Sequence, residues 1–171
     1  MSIDGLVIRA ERAHDHSAIT RVNFEAFTHL GMGEVTEHLM VERLREAGAL
    51  SVSLVAELSG RVVGHIAFSP VTLSSGVSGW YCLGPVSVLP ELHRRGIGGL
   101  LIRKGLEELK ASGAAGCCLV GHPEYYGRFG FIHPEGMFYE GVDPQVFFAL
   151  SFSGEYPHGR VVFHSAFGSW E

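Results

Sequence analysis

The segment at residues 80–120 constrains the fold more than any other part of the sequence. It reads as a strand at 80–89, a long helix at about 96–111 and a short, fully apolar strand at 117–120. A short strand without polar residues is typical of one that is buried on both faces of a sheet. Strand, helix and strand in this order form a parallel crossover, so the sequence predicts a parallel pair in the sheet.

The elements around this segment predict a mixed sheet with helices on both faces. Before it we expect a strand at 6–11, a helix that ends near 28, a helix at about 35–47, and strands at 51–58 and 61–71. After it we expect a helical turn at 124–128 and strands near 131, 147–152 and 160–164. Ser59 and Gly60 predict a hairpin turn, residues 14–17 an N-cap, and Gly31 and Gly33 a helix end.

The composition fits one globular domain, which we expect to cover residues 1–171. The hydrophobic fraction is 46% and the charged fraction 18%, as in ordinary folded proteins. No apolar run reaches the roughly 20 residues needed to cross a bilayer, and no basic region precedes an apolar stretch at the start, so we expect a cytoplasmic protein. The formal charge of −5 argues against a nucleic-acid partner, which requires clustered Lys and Arg.

Neither the cysteines nor the histidines form a metal-binding or disulfide pattern. Cys82, Cys117 and Cys118 lie in apolar runs, so we interpret them as small buried hydrophobic residues. The ten histidines include no H-E-x-x-H motif and no clustered Cys/His spacing, so no metal site is predicted. Phenylalanines near the end of the chain form either the core of the domain or the seam of a homodimer, with the core favoured. They are Phe147, Phe148, Phe152, Phe163 and Phe167.

The chemistry is concentrated in residues 86–99, where a strand ends, a loop with two arginines follows and a helix begins. The first turn of a helix has unpaired amides and the positive end of the helix dipole. Glycines let a bulky anion approach that backbone, so a phosphate or pyrophosphate site is predicted, with Arg94 and Arg95 adding charge-assisted contacts. The glycines are Gly96, Gly98 and Gly99. The loop is neither a Walker P-loop nor the dinucleotide fingerprint, whose third glycine is replaced by Leu101.

This segment resembles the coenzyme A loop of the GNAT N-acetyltransferases, whose pattern is Q/R-x-x-G-x-G/A. Residues 93–98 read H-R-R-G-I-G, so His93 departs from the pattern at its first position. Because the loop binds mainly through backbone amides, we expect this departure to weaken the match without destroying the site. Residues 88–90 match the family's V-x-P entry to the loop, and Gly84-Pro85 falls where the family has a bulge.

The resemblance implies a mixed, strongly twisted central sheet in which the bulge splays two parallel strands. The pantetheine arm of acetyl-CoA would lie in the gap, paired with the exposed backbone of Val86, Ser87 and Val88. The predicted coenzyme-binding residues are Val86, Ser87, Val88, Arg94, Arg95, Gly96, Ile97, Gly98 and Gly99. Residues 125–131 follow the short strand where the family carries F-Y-x-x-x-G-F, which places Tyr126 as the general acid that protonates the coenzyme A thiolate.

The implied reaction is direct transfer of an acetyl group from acetyl-CoA to a primary amine of a small molecule or peptide. It needs a group that deprotonates the amine, and the candidates are Glu57, His65, His122 and Glu124. Glu25 and Glu37 lie on the first helices and read as solvated. A coenzyme A-binding sensor or interaction module without catalysis is the alternative, and a purely structural domain is a third. Aminoglycosides, polyamines, amino acids and protein amino termini all remain possible acceptors.

Overall fold

The computed structural model of the protein describes residues 3–31 and 35–167, so the predicted helix break at Gly33 lies outside the described residues. Three α-helices are present in the described part: α1 (His16–Leu30), α2 (Glu37–Glu46) and α3 (Ile97–Ala111). The strands are β1 (Leu6–Ala10), β2 (Val52–Leu58), β3 (Arg61–Pro70), β4 (Thr72–Leu73), β5 (Trp80–Val88), β6 (Gly116–Val120), β7 (Met137–Phe138), β8 (Phe147–Ser151) and β9 (Gly159–Val162).

Six of the strands form one mixed sheet in the order β1-β2-β3-β5-β6-β8. The pair β5–β6 is parallel, and the other neighbouring pairs are antiparallel. Leu58 pairs with Arg61 across the predicted hairpin turn. The crossover, the hairpin and the mixed sheet are therefore confirmed. The strands β4, β9 and β7 form a second, small sheet, and two of them are only two residues long, too short to show as a sequence pattern.

The helices lie on both faces of the main sheet, as expected. Successive residues of a strand point to opposite faces, and β3 shows both. A β-carbon built on Gly64 would lie 3.1 Å from Leu101 of α3, whereas the His65 ring lies 3.4 Å from the Asn23 amide of α1. The buried residues of α3 include the predicted apolar stripe: Ile97, Leu101, Ile102, Leu106 and Leu109.

The bulge predicted in β5 is also present. Leu83 pairs with Phe68 and Val86 with Ile66, so Gly84 and Pro85 together stand opposite a single residue of β3. Two residues facing one is the defining feature of a β-bulge, which bends its strand and increases the local twist. The bend falls at the point where β5 leaves its parallel neighbour.

The predicted N-cap of α1 is confirmed in position but not in its bond. Asp15 is the N-cap residue, yet its carboxylate makes no capping hydrogen bond to that helix. It instead accepts a hydrogen bond from the backbone N–H of Arg12 and forms a 2.7 Å ion pair with Arg9 of β1. The hydrogen bond from Arg9 lowers the pKa of Asp15 to about 2. A buried carboxylate is stabilised more by a guanidinium than by one helix amide, so the ion pair with Arg9 replaces the capping hydrogen bond.

The interpretations of the cysteines and phenylalanines are confirmed. Cys82, Cys117 and Cys118 are free and buried, and burial raises the pKa of all three thiols. Because the thiolate is the reactive form of cysteine, a raised pKa makes these thiols inert. Phe147, Phe148 and Phe163 are buried in the core, and Phe152 and Phe167 are partly buried against it.

Candidate active site

The parallel strands β5 and β6 pair over three residues and then separate. Residues 80–82 of β5 pair with residues 116–118 of β6. Beyond that point β5 continues to Val88 along β3, while β6 stays paired with β8 on its other side. The edge of β5 at residues 86–88 therefore faces a gap rather than a neighbouring strand. The splayed parallel pair expected from the Gly84-Pro85 bulge is confirmed.

The loop that follows β5 directs the first turn of α3 toward this gap. Arg94 and Gly96 both have positive φ angles, 66° and 83°, and Gly96 is the N-cap of α3. Glycine adopts this conformation without a steric penalty. The first backbone bond of the helix runs from the Leu100 N–H to the Gly96 carbonyl, at 3.1 Å. The amides of residues 97–99 thus precede the first helical bond and have no acceptor within the helix.

A cleft of about 910 Å³ lies along the β5 edge and the start of α3. We call it the large cleft. Residues 86–88 and 92–100 line one side, so all nine residues predicted to bind the coenzyme border the same space. The remaining lining residues come from three other parts of the chain: Leu30, Arg103, Tyr125, Arg128 and Phe129.

Two of these, Arg103 and Arg128, add positive charge to the large cleft and were not predicted. The Arg128 guanidinium lies 4.8 Å from the centre of the Tyr125 ring, and its Nε donates to the Tyr125 carbonyl at 3.1 Å. The Arg103 guanidinium lies 4.9 Å from the centre of the Phe129 ring. Aromatic rings attract a guanidinium through their faces, and so both arginines are held near the cleft wall.

His93, the departure from the loop pattern, contacts the backbone of the splayed strand. Its Nε2 donates to the Val88 carbonyl at 2.7 Å, and its ring packs edge-on against His29 at 5.7 Å. The imidazole thus ties the start of the loop to the end of β5.

The adjacent tyrosines Tyr125 and Tyr126 face different spaces. Tyr125 lines the large cleft, and its hydroxyl lies 3.6 Å from where a β-carbon on Gly98 would stand. Tyr126 packs against Phe131 and Phe148, with ring centres 6.0 and 5.8 Å apart. Burial raises the pKa of Tyr126 to about 12, so its hydroxyl stays protonated at neutral pH.

Tyr126 lines a second space, a cavity of about 200 Å³ that we call the small pocket. It lies at the bulge, where Leu83, Gly84, Pro85 and Val86 form one wall. Most of the remaining lining side chains are apolar and come from distant parts of the chain: Phe27, Met40, Val120, Phe163 and Phe167. Cys82 and Glu37, the first residue of α2, complete the lining. Val86 is the one described residue that borders both spaces.

The position of Tyr126 depends on a glycine before it. A β-carbon on Gly121 would collide with the Tyr126 ring and lie 3.0 Å from a Leu119 methyl. Contacts as short as these require a neighbouring group to move, so only glycine at position 121 leaves the Tyr126 ring in its observed position. Gly127, on the other side of the tyrosine, has open space around it.

Residues 17–131 match the sequence model of the acetyltransferase (GNAT) family, which is more than half of the chain. The protein belongs to the GNAT family. It is similar to the uncharacterized N-acetyltransferase YjhQ of Escherichia coli K12, with 34% identity over 119 residues, 68% of this chain and 64% of YjhQ. Its match to YhbS of the same strain is 36% over 96 residues, 56% of this chain and 58% of YhbS. The chain thus spans less than two thirds of these relatives' length.

Two solved GNAT structures share the fold over nearly the whole chain. A GNAT family acetyltransferase from Brucella melitensis, in complex with acetyl-CoA, is 45% identical with a TM-score of 0.85, covering 95% of this chain and 97% of that one. The GNAT N-acetyltransferase YhbS from Escherichia coli, in complex with CoA, is 26% identical with a TM-score of 0.88, covering 100% and 96%. The predicted fold class is confirmed.

None of the four candidate bases lines either space of this GNAT protein. Glu57 pairs with Arg9 at 3.4 Å. His65 is fully buried, which lowers its pKa to about 4, and its Nε2 hydrogen-bonds Ser53 at 2.8 Å. His122 and Glu124 are exposed and bond to each other through the Glu124 N–H. Among the acidic residues that the sequence pattern marks as solvated, Glu37 borders the small pocket, whereas Glu25 does not.

Across residues 3–31 and 35–167, no three His, Cys, Asp or Glu side chains are grouped so as to hold a metal ion. No helix in that part of the chain combines the length and the apolar character needed to cross a membrane.

Proposed function

We propose that the protein transfers an acetyl group from acetyl-CoA directly to a primary amine. The observation that carries this proposal is the early end of β5–β6 pairing, after Cys82 and Cys118. It leaves residues 86–88 without a neighbouring strand on that side, beside the amides that begin α3. An extended chain with amide groups, such as pantetheine, adds to an open strand edge, and a diphosphate binds at a helix N-terminus.

The charges of the large cleft support the same ligand. Coenzyme A carries several phosphate charges, and the described lining includes four arginines and no carboxylate: Arg94, Arg95, Arg103 and Arg128. An anion can also approach the backbone closely in the cleft, because Gly98 has no side chain. A β-carbon built there would lie 3.6 Å from the Tyr125 hydroxyl and 3.9 Å from a Val88 methyl. Backbone amides and arginines together favour a phosphate ligand over an uncharged one.

The chemical step requires the amine nitrogen to attack the thioester carbonyl carbon. A C–N bond forms, the C–S bond breaks, and the proton lost by the nitrogen passes to water. The sulfur then takes a proton from the Tyr126 hydroxyl, which regains it from solvent. The pKa is about 12 for the Tyr126 hydroxyl and about 8.5 for a thiol, so complete transfer of the proton to sulfur is uphill by roughly 5 kcal/mol. The hydroxyl therefore acts as a hydrogen-bond donor to the sulfur until the C–S bond is broken.

Calorimetric titration with acetyl-CoA tests the coenzyme site. The double variant Gly96→Glu and Gly98→Glu places two carboxylates at the helix entrance, and we expect its affinity to fall by about 100-fold or more. Ala111→Glu is the matched control, because it adds negative charge at the exposed far end of α3. It should bind as the unmodified protein does. Unchanged affinity in the double variant, with the fold intact by circular dichroism, would reject the assignment of the large cleft.

A further inference from the structure

From the small pocket we infer the acceptor: a small primary amine with an apolar, ring-sized body, whose ammonium group is bound by Glu37. This inference rests on the proposed acetyl transfer. The small pocket lies on the other side of Val86 from the large cleft. An amine bound there would reach the thioester past Val86, beside Tyr126, after its ammonium group has released one proton to water at the partly exposed Glu37, which leaves the nitrogen a lone pair for the attack. Of the two spaces, only the small pocket borders Tyr126, and its wall at Val86 is the start of the open edge of β5.

The size of the small pocket limits the body of the acceptor. Its volume is about 200 Å³. An apolar cavity of about 150 Å³ admits one benzene ring, so the volume of the small pocket matches a ring with a short chain. Three of its side chains are phenylalanines: Phe27 of α1, and Phe163 and Phe167 near the end of the described chain. Edge and face contacts between aromatic rings favour an aromatic guest over a flexible aliphatic one.

The charge in the small pocket identifies the polar end of the acceptor. Among its described lining residues, three can carry a negative charge: Glu37, Cys82 and Tyr126. Burial raises the pKa of Cys82 and of Tyr126, so both are neutral at physiological pH. The Glu37 carboxylate is then the one charged group among them, and it is partly exposed. A single carboxylate on an apolar wall is complementary to a single ammonium.

Amines with several charges do not fit this arrangement. A polyamine or an aminoglycoside would place two or more ammonium groups against an apolar wall with one counter-ion. Burying an unpaired charge costs several kcal/mol, which the contacts of a small ligand do not offset. One Oε of Glu37 already accepts the Thr36 N–H at 3.0 Å, which fixes the carboxylate at the start of α2 and leaves its other oxygen for a ligand. The structure therefore favours a monoamine.

The test measures coenzyme thiol release with acetyl-CoA and four acceptors: phenethylamine, spermidine, kanamycin, and a short peptide with an amino-terminal phenylalanine. We expect kcat/KM to be highest for phenethylamine, by about tenfold or more. In Glu37→Gln, the Michaelis constant for phenethylamine should rise about tenfold while that for acetyl-CoA is unchanged. Glu37→Asp should restore part of the loss. Glu25→Gln, which removes a carboxylate from α1 outside the small pocket, should have no effect.

A binding measurement separates this inference from the proposed function. In the presence of coenzyme A, phenethylamine should bind the unmodified protein more tightly than phenethyl alcohol, and Glu37→Gln should abolish the difference. If phenethylamine binding depends on Glu37 in this way but no amine causes thiol release, acetyl transfer is rejected and the small pocket is kept as an amine site. A preference for spermidine, kanamycin or the peptide, or an unchanged Michaelis constant for phenethylamine in Glu37→Gln, would overturn the inference.

Discussion

The large cleft and the small pocket meet at Val86 but are built in opposite ways. Most of the lining of the large cleft comes from two short stretches, residues 86–88 and 92–100, and much of the surface that they present is backbone. The small pocket is made of side chains from segments as far apart as Phe27 and Phe167. The first region suits a ligand that all members of a family share, because a backbone surface survives changes of side chain. The second suits a ligand peculiar to this chain.

The largest effect should separate the two adjacent tyrosines. Tyr126→Phe removes the proton donor from the small pocket, and we expect kcat to fall by about 10²- to 10⁴-fold while the affinity for acetyl-CoA is unchanged. Tyr125→Phe changes only the wall of the large cleft, and kcat should be retained. Steady-state kinetics of thiol release and calorimetry with acetyl-CoA measure the two quantities. Equal kcat values for the two variants would mean that Tyr126 has no part in the chemistry.

An intermediate effect should come from a residue that only supports Tyr126. In Gly121→Ala the new methyl group collides with the Tyr126 ring. We expect kcat to fall roughly tenfold, because a catalytic group displaced by a fraction of an ångström loses alignment, while acetyl-CoA affinity stays the same. Gly127→Ala has open space and should keep kcat within about twofold. A fall in coenzyme affinity in Gly121→Ala would show that the two regions are coupled more tightly than their separate linings indicate.

The smallest effect belongs to the arginines of the large cleft. Arg128→Gln removes one cation from a wall that already has others, so the dissociation constant of acetyl-CoA should rise about fivefold, and less at high salt. The Michaelis constant for the amine should not change. Lys104→Gln, one position after Arg103 on α3 and outside the large cleft, is the matched control. If both variants weaken binding equally, the effect of Arg128 is one of net charge, not of a contact in the cleft.

The sequence predicted the fold and the large cleft for the same physical reason: both depend on residues close together in the chain. The Gly84-Pro85 bulge and the glycines that begin α3 determine the backbone conformation over a few residues, so the local sequence predicts that conformation. Arg103 carries a weaker signal, since it lies one helical turn after Gly99 and so faces the same side. Arg128 has no such signal in the sequence, because it lies at the cleft only through the conformation of the helical turn that follows β6.

The small pocket was not predictable because its members share no pattern along the chain. Glu37 looks like any polar residue at the start of a helix, and only the packing of α2 near β5 and the C-terminal segment places it in a cavity. His65 is the converse case. A histidine is a plausible base by type, but its strand lies between two others, and the ring is buried against α1 where no ligand reaches it.

The boundary between the two spaces is a single residue, Val86, and it bears on the length of the acyl group that the proposed reaction can transfer. A two-carbon acyl group can pass that boundary and leave the small pocket to the acceptor. In the proposed reaction, a longer acyl chain would extend past Val86 into the roughly 200 Å³ that the inferred acceptor occupies. The same side chains would then discriminate both reactants, the amine by its body and the acyl donor by its length.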